Sequence, residues 1–230
     1  LFFVWNTKIT NSPMPSNTIR EVQPEILDEL PHDDPAAQRS RRDLQRINIV
    51  MGNDQRILQA VRSHPNTASR GIVEIGAGDG TLIQRLAQQF PSAPASTHDL
   101  APRPQKIDSR IHWHQGDIFN HASLISGGIL VANLFLHHFM PDGLRQIGQI
   151  CSKFDLLVFN EPNRAMLPHV LAMFGWPFIN TVTRHDMHVS IDAGFQQREL
   201  TKLLELDEEK WEIRETSSWR GARCVVASHV

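Results

Sequence analysis

The spacing of hydrophobic residues changes repeatedly after residue 70, from the period of two of strands to the three-to-four of helices. Ile72, Val73 and Ile75 form a short β-branched run, as in a buried strand of a parallel sheet. Gly76, Gly78 and Gly80 break that run, and Leu82, Ile83 and Leu86 resume on one helical face. Residues 71–81 therefore predict strand, glycine turn and helix, the helix running to residue 90. Further strands are expected at 95–100, 111–114, 128–134 and 154–159, with a helix after Pro141 that turns Leu144, Ile147 and Ile150 inward. Strands alternating with helices imply a parallel α/β sheet. An apolar helix is expected over 166–178, and another over 196–206 with Leu200, Leu203 and Leu204 buried. Two alternating runs, 211–217 and 222–229, flank residues 218–221 as a hairpin, so one strand must run antiparallel.

Ahead of this core the pattern is helical. Residues 21–30 are a helix candidate, and 31–35 form a proline-bounded turn. Over 36–63, Leu44, Ile47, Val50 and Met51, then Ile57, Leu58 and Val61, recur at helical steps. Gly52 is expected to split this stretch, with Asn53 or Asp54 capping the second helix. Residues 65–70 read as a loop. Arg39, Arg41, Arg42 and Arg46 make a basic cluster, whose ordinary fate is a solvated face. Residues 1–17 lack the basic start of a signal peptide and are expected to be poorly ordered, with Met14 a candidate natural start. The expected organisation is a disordered segment 1–18, a helical lid 19–64 and an α/β domain 65–230 with a helical cap insertion around 163–190.

Composition adds exclusions. A chain of 230 residues with net charge −2 suits one domain with an extension. It offers no basic field for nucleic acid or an anionic membrane, and no run of the sequence is expected to span a bilayer. Cys151 and Cys224, without Cys-x-x-Cys spacing, fit a reducing cytoplasm and exclude a disulfide scaffold or zinc ribbon. The absence of tyrosine excludes a phenolic catalytic acid.

The glycine turn carries the chemistry. A dinucleotide site wants Gly-x-Gly-x-x-Gly, so that a pyrophosphate can sit on the helix N-terminus. Here the third glycine comes one residue early, and Glu74 ends the strand just before the first. A carboxylate there suits a cationic group and repels a diphosphate. The stretch Val73-Glu74-Ile75-Gly76-Ala77-Gly78-Asp79-Gly80 resembles motif I of the class I S-adenosylmethionine-dependent methyltransferases. The resemblance covers roughly residues 71–229. It extends to Leu44-Gln45-Arg46-Ile47-Asn48, Asn133 through Phe139, Thr183-Arg184-His185-Asp186 and Ala193-Gly194-Phe195, which look like a subgroup of small bacterial methyltransferases.

That resemblance implies a Rossmann-like three-layer α/β/α sandwich with a seven-stranded, mostly parallel sheet of order 3-2-1-4-5-7-6. It implies S-adenosyl-L-methionine as cofactor, held by Glu74, Gly76, Ala77 and Gly78. Asp99 follows Gly78 by 21 residues, where α/β nucleotide folds place a ribose-binding acid, and Leu100 lies beside it. Gly116-Asp117-Ile118 resembles the adenine-contacting motif, with Asp117 accepting from the exocyclic amine and the Ile118 N–H donating to a ring nitrogen. Asn133 and Leu134 end the fourth strand as in motif IV, and Arg46 or Arg42 of the lid is expected to meet the cofactor carboxylate.

His137 and His138 follow at the strand ends where a methyl acceptor should arrive, and imidazole is the natural general base at neutral pH. Glu161, Arg184, His185 and His188 are expected on the acceptor side. No metal site is expected. His112 and His114 lack a third ligand, and His185, Asp186 and His188 would crowd a short loop. The implied activity is methyl transfer to a small-molecule acceptor, an aromatic or enolic hydroxyl, in the cytoplasm, without nucleic acid or membrane partners. A nicotinamide-dependent oxidoreductase and a non-catalytic cofactor-binding protein are the alternatives.

Overall fold

The computed structural model describes residues 19–31, 34–166, 168–169 and 179–230. The segment 1–18, with Met14, lies outside the described residues, as does most of the expected helix 166–178 with Phe174 and Trp176. The helices are α1 (Ile26–Glu29), α2 (Pro35–Met51), α3 (Asn53–Arg62), α4 (Pro65–Ala68), α5 (Thr81–Gln89), α6 (Pro141–Cys151), α7 (Thr181–Ala193) and α8 (Glu199–Leu203). The strands are β1 (Ile72–Ile75), β2 (Ala95–Asp99), β3 (Ile111–Gln115), β4 (Ile129–Asn133), β5 (Leu156–Pro162), β6 (Trp211–Ser217) and β7 (Ala222–His229). Among the described residues no helix is long and apolar enough to cross a membrane.

The sheet order is β3-β2-β1-β4-β5-β7-β6. The first five strands are parallel, while β7 runs antiparallel to both β5 and β6. Strand alternation divides the core in two. Val73, Ile75, Leu130, Ala132, Leu157 and Phe159 face α6 and α8, whereas Ile72, Ile129, Val131, Leu156 and Val158 face α3 and α5. Both faces are covered, which is why these strands read as continuous apolar runs.

Several local expectations are corrected. Gly52, with φ +69°, is both the C-cap of α2 and the N-cap of α3, and no side chain caps α3. Asn53 is instead fully buried and donates to Asn48 Oδ1 at 2.7 Å. The expected loop 65–70 contains the helical turn α4. The helix candidate 21–30 shrinks to the single turn α1, and that over 196–206 shrinks to α8. The polar run Thr183–His188, taken as a loop, is the middle of α7. Its helical period is hidden because two buried positions, Thr183 and Asp186, are polar. The Thr183 hydroxyl donates to Ser40 Oγ on α2 at 2.9 Å, and Asp186 accepts from the Ile26 and Leu27 amides of α1 at 2.9 and 3.0 Å. These bonds fasten the N-terminal helices to α7.

Phe159 is fully buried at the centre of β5. Phe159→Ala is expected to cost about 3–5 kcal/mol in urea denaturation. Trp219→Ala, at an exposed hairpin position, is expected to cost less than about 0.5 kcal/mol.

Candidate functional site

In parallel α/β sheets a ligand crevice lies beyond the strand C-termini where the strand order reverses, here between β1 and β4. The glycine turn after β1 closes its floor. Gly76 has φ +69°, and a Cβ there would lie 2.1 Å from the Phe135 ring. Gly78 has φ +56° with nothing within 4 Å of its missing Cβ. Its amide donates to Asp99 Oδ2 at 2.7 Å, and Ala101 donates to Oδ1 at 2.7 Å. Asp99 therefore ties the turn to the end of β2. The neighbouring Leu100 is exposed and Ala77 is buried. Asp117, after β3, accepts from the Phe119 amide at 2.9 Å and starts the 3-10 segment Ile118–Leu124, in which Ile118 is buried. Asp99 and Asp117 thus stand at adjacent strand ends.

Below the turn lies a layer of acids and amides. Glu74 is 2% exposed, and its Oε2 has no hydrogen-bond partner. Burial, with the neighbouring Asp54 charge, pushes its carboxyl well above the usual carboxylate range, against the stabilising Ile83 amide. Asp54 of α3 pairs with Arg85 of α5 at 2.9 Å and lies 3.5 Å from Asn133 Nδ2. Burial raises Asp54 as well, and Arg85 holds it back. Asn160 donates to Asn133 Oδ1 at 3.0 Å. Sequence reading gave Asp54 only a capping role. Its only signal is its place two residues after a helix-breaking glycine, which carries no hint of chemistry.

The other face of the sheet ends in Glu161, 1% exposed. Its Oε1 accepts from the Phe135 and Leu136 amides at 3.0 and 2.8 Å. Its Oε2 accepts from the His137 amide at 3.3 Å and lies 2.9 Å from His137 Nδ1. Leu134, just before, is held at φ +53°, a costly conformation for a branched side chain. Burial opposes charge on His137, but the hydrogen bond to Glu161 and the nearby Glu25 carboxylate outweigh it and raise His137 to about 9. His138, whose side chain is 31% exposed, is lowered to about 4 by burial and by the His137 charge. An aromatic wall runs from Phe119 through Phe139 to Phe135, with centroids 5.7 and 5.0 Å apart, and on to His138 at 6.5 Å.

The remaining candidates stand apart. Arg46 is 74% exposed and pairs with Asp43 at 3.4 Å. Arg184 donates to the Ile179 carbonyl at 3.1 Å. His185 lies 3.0 Å from Asp186, and His188 contacts His169 nitrogen to nitrogen at 2.8 Å. Two residues that sequence reading did not single out, Arg20 and Glu25, reach the histidine pair. Arg20 donates to the His137 carbonyl at 2.8 Å, and Glu25 Oε1 lies 3.5 Å from His137 Nε2.

This architecture, with an antiparallel β7 between β5 and β6, is the Rossmann-like fold of the class I methyltransferases. Among solved structures it is similar to the plantazolicin methyltransferase BpumL in complex with a triazolic desmethylPZN analog and SAH. The TM-score is 0.66 at 11% identity, over 85% of this chain and 92% of that one. It is also similar to the pyocyanin biosynthetic protein PhzM (TM-score 0.56, 16% identity, 86% of this chain and 60% of that one). A third likeness is to an O-methyltransferase family protein from Burkholderia thailandensis (TM-score 0.55, 13% identity, 84% of this chain and 57% of that one). No protein-family model matches the chain, and no curated protein does.

The two glycines of the turn should separate experimentally. Gly78→Ala is expected to cost about 1–2 kcal/mol, the left-handed backbone penalty alone. Gly76→Ala must also displace the Phe135 ring, and its loss in urea denaturation is expected to be clearly larger.

Proposed function

We propose that the chain is an S-adenosylmethionine-dependent methyltransferase that methylates a hydroxyl of a small aromatic or enolic acceptor. The observation that carries this reading is Glu74, a buried carboxyl with an unpartnered oxygen under a turn of alternating glycines. An orphaned buried acceptor is costly, and a cationic ligand seated on the turn satisfies it. Asp54 and Asn133, in the same layer, add acceptors for an amino group. Asp99 keeps lone pairs for ribose hydroxyls beyond its two backbone bonds, and Asp117 with the Ile118 amide suits an adenine. Leu134 shapes the wall beside Asn133, and Ala77 packs under the turn. Arg46 reaches a cofactor carboxylate only by leaving Asp43.

The cofactor supplies a methyl group activated on a sulfonium sulfur. The protein supplies position and a dry site. The aromatic wall Phe119–Phe139–Phe135 supports a flat acceptor, and the acceptor hydroxyl loses its proton at the His137–His138 edge as its oxygen takes the methyl. His138 is the open member of that pair. Glu161 acts through His137, since both its oxygens are engaged by residues 135–137. The helices of residues 19–64 form a lid: Gln45 of α2 donates to Asp79 in the glycine turn at 2.6 Å. Arg184, His185 and His188, on α7, are assigned to the acceptor side. The strand order argues against the nicotinamide alternative, whose sheets run 3-2-1-4-5-6.

Calorimetry is expected to show S-adenosylmethionine binding and none of NAD. Glu74 enters the complex charged and leaves its raised free state, so binding releases a proton. The measured enthalpy should therefore differ between phosphate and Tris buffers, and Glu74→Gln should remove that difference. With a labelled methyl group and a panel of phenols and enols, His138→Ala is expected to lower turnover by about 10²–10⁴ while cofactor binding persists. Cofactor binding without turnover on any acceptor would instead favour a non-catalytic protein.

A further inference from the structure

Glu25, His137 and His138 bring three ligand-type atoms within 4.8 Å of one another. Glu25 comes from the strap ahead of α1, and the histidines come from the loop after β4. The His137 side chain is 4% exposed, and its Nε2, aimed at Glu25 Oε1, has no hydrogen-bond partner. Its Nδ1 is held by Glu161. A carboxylate behind one ring nitrogen fixes the ring and raises the basicity of the other, the arrangement that supports metal-binding histidines. Glu25 Oε1 also accepts from the Ser190 hydroxyl. Asp28 Oδ2 lies 3.8 Å from His138 Nδ1, and the buried Asp186 stands close enough to act on His138 electrostatically. Four carboxylates thus gather about two imidazoles, with the Arg20 guanidinium set against them. Three of the four, Glu25, Glu161 and Asp186, are buried, and gathering buried anions is costly unless cations compensate.

We propose that Glu25, His137 and His138 form a binding site for a divalent first-row cation of the zinc type. Two imidazoles and a carboxylate with one open position are a ligand set of catalytic zinc, and imidazole favours zinc over magnesium or calcium. The ion would draw Glu25 onto the histidines and so bind the strap to the sheet edge. Its consequence for the reaction rests on the methyltransferase reading; the binding does not. In that setting the ion would replace His138 as the means of deprotonation: it would hold and acidify the acceptor hydroxyl, whose proton would pass to solvent water, while the oxygen–methyl bond forms as the sulfur–methyl bond breaks.

The test uses the full chain, dialysed against chelator and titrated calorimetrically with zinc chloride, with no nucleotide present. One equivalent is expected to bind, and cobalt(II) is expected to give the visible bands of a four- or five-coordinate ion. Glu161→Gln should weaken zinc binding by roughly 10–100-fold, and Glu25→Gln and His138→Ala should remove the tight site. His112→Ala, on exposed β3 positions away from the cluster, should leave it intact. Glu25→Gln also loosens the strap, so His138→Ala is the deciding variant, with its metal-free thermal melt confirming the fold. No stoichiometric zinc, or binding that survives His138→Ala, would overturn the site. Either result leaves the methyltransferase reading to stand or fall on the S-adenosylmethionine titration.

Discussion

A carboxylate shut away from water needs donors on every side, and Glu161 obtains them by bending the chain around itself. Three consecutive amides, of Phe135, Leu136 and His137, and one imidazole nitrogen converge on its two oxygens. To deliver them, the backbone must leave β4 abruptly, and Leu134 takes up a left-handed conformation to do so. The ring of Phe135 is thereby laid over Gly76, and the ring of His137 is pinned with its second nitrogen turned toward Glu25. Through Arg20 and Glu25 the same anchor reaches the N-terminal strap, and through Asp186 the strap reaches α7.

One register step separates the two halves of the crevice. On β5, Asn160 and Glu161 point to opposite faces, as neighbours on a strand must. Asn160 joins Asn133, Asp54 and Glu74 on the side of α3 and α5, while Glu161 organises the histidines on the other. On β1, β4 and β5 the polar residues Glu74, Asn133, Asn160 and Glu161 fall within the last three positions of their strands, where both layers open. The two halves are thus adjacent, and they meet at the Phe135 ring, which lies against Gly76 on one side and Phe139 on the other.

Much of this was legible beforehand. The strand-to-helix alternation, the hairpin 211–217 and 222–229 and the glycine turn follow from periods and breakers that act locally, whereas the sheet order came only with the resemblance to the class I methyltransferases. What escaped has a common physical origin. Asp54, Glu25 and Arg20 acquire their roles only when distant segments meet, and their own neighbourhoods in the sequence are unremarked helix or coil. The run Thr183–His188 misled because its buried face is polar: Thr183 and Asp186 are satisfied by α2 and α1, so no apolar stripe betrays the helix. Gly52 was read correctly as a break, but its left-handed backbone alone joins the two helices where a side-chain cap was expected.

The position of β7 constrains how the molecule is made. It follows every other strand in the order of synthesis, yet it lies inside the sheet, hydrogen-bonded on one side to β5 and on the other to β6. Until residues 222–229 have left the ribosome, β5 must wait with an open edge, its most buried side chains already committed to the core. A nascent chain in that state presents an unpaired, apolar strand to its surroundings. The interval between β5 and β7 in translation is therefore the period in which this fold is most exposed to mispairing with its own copies.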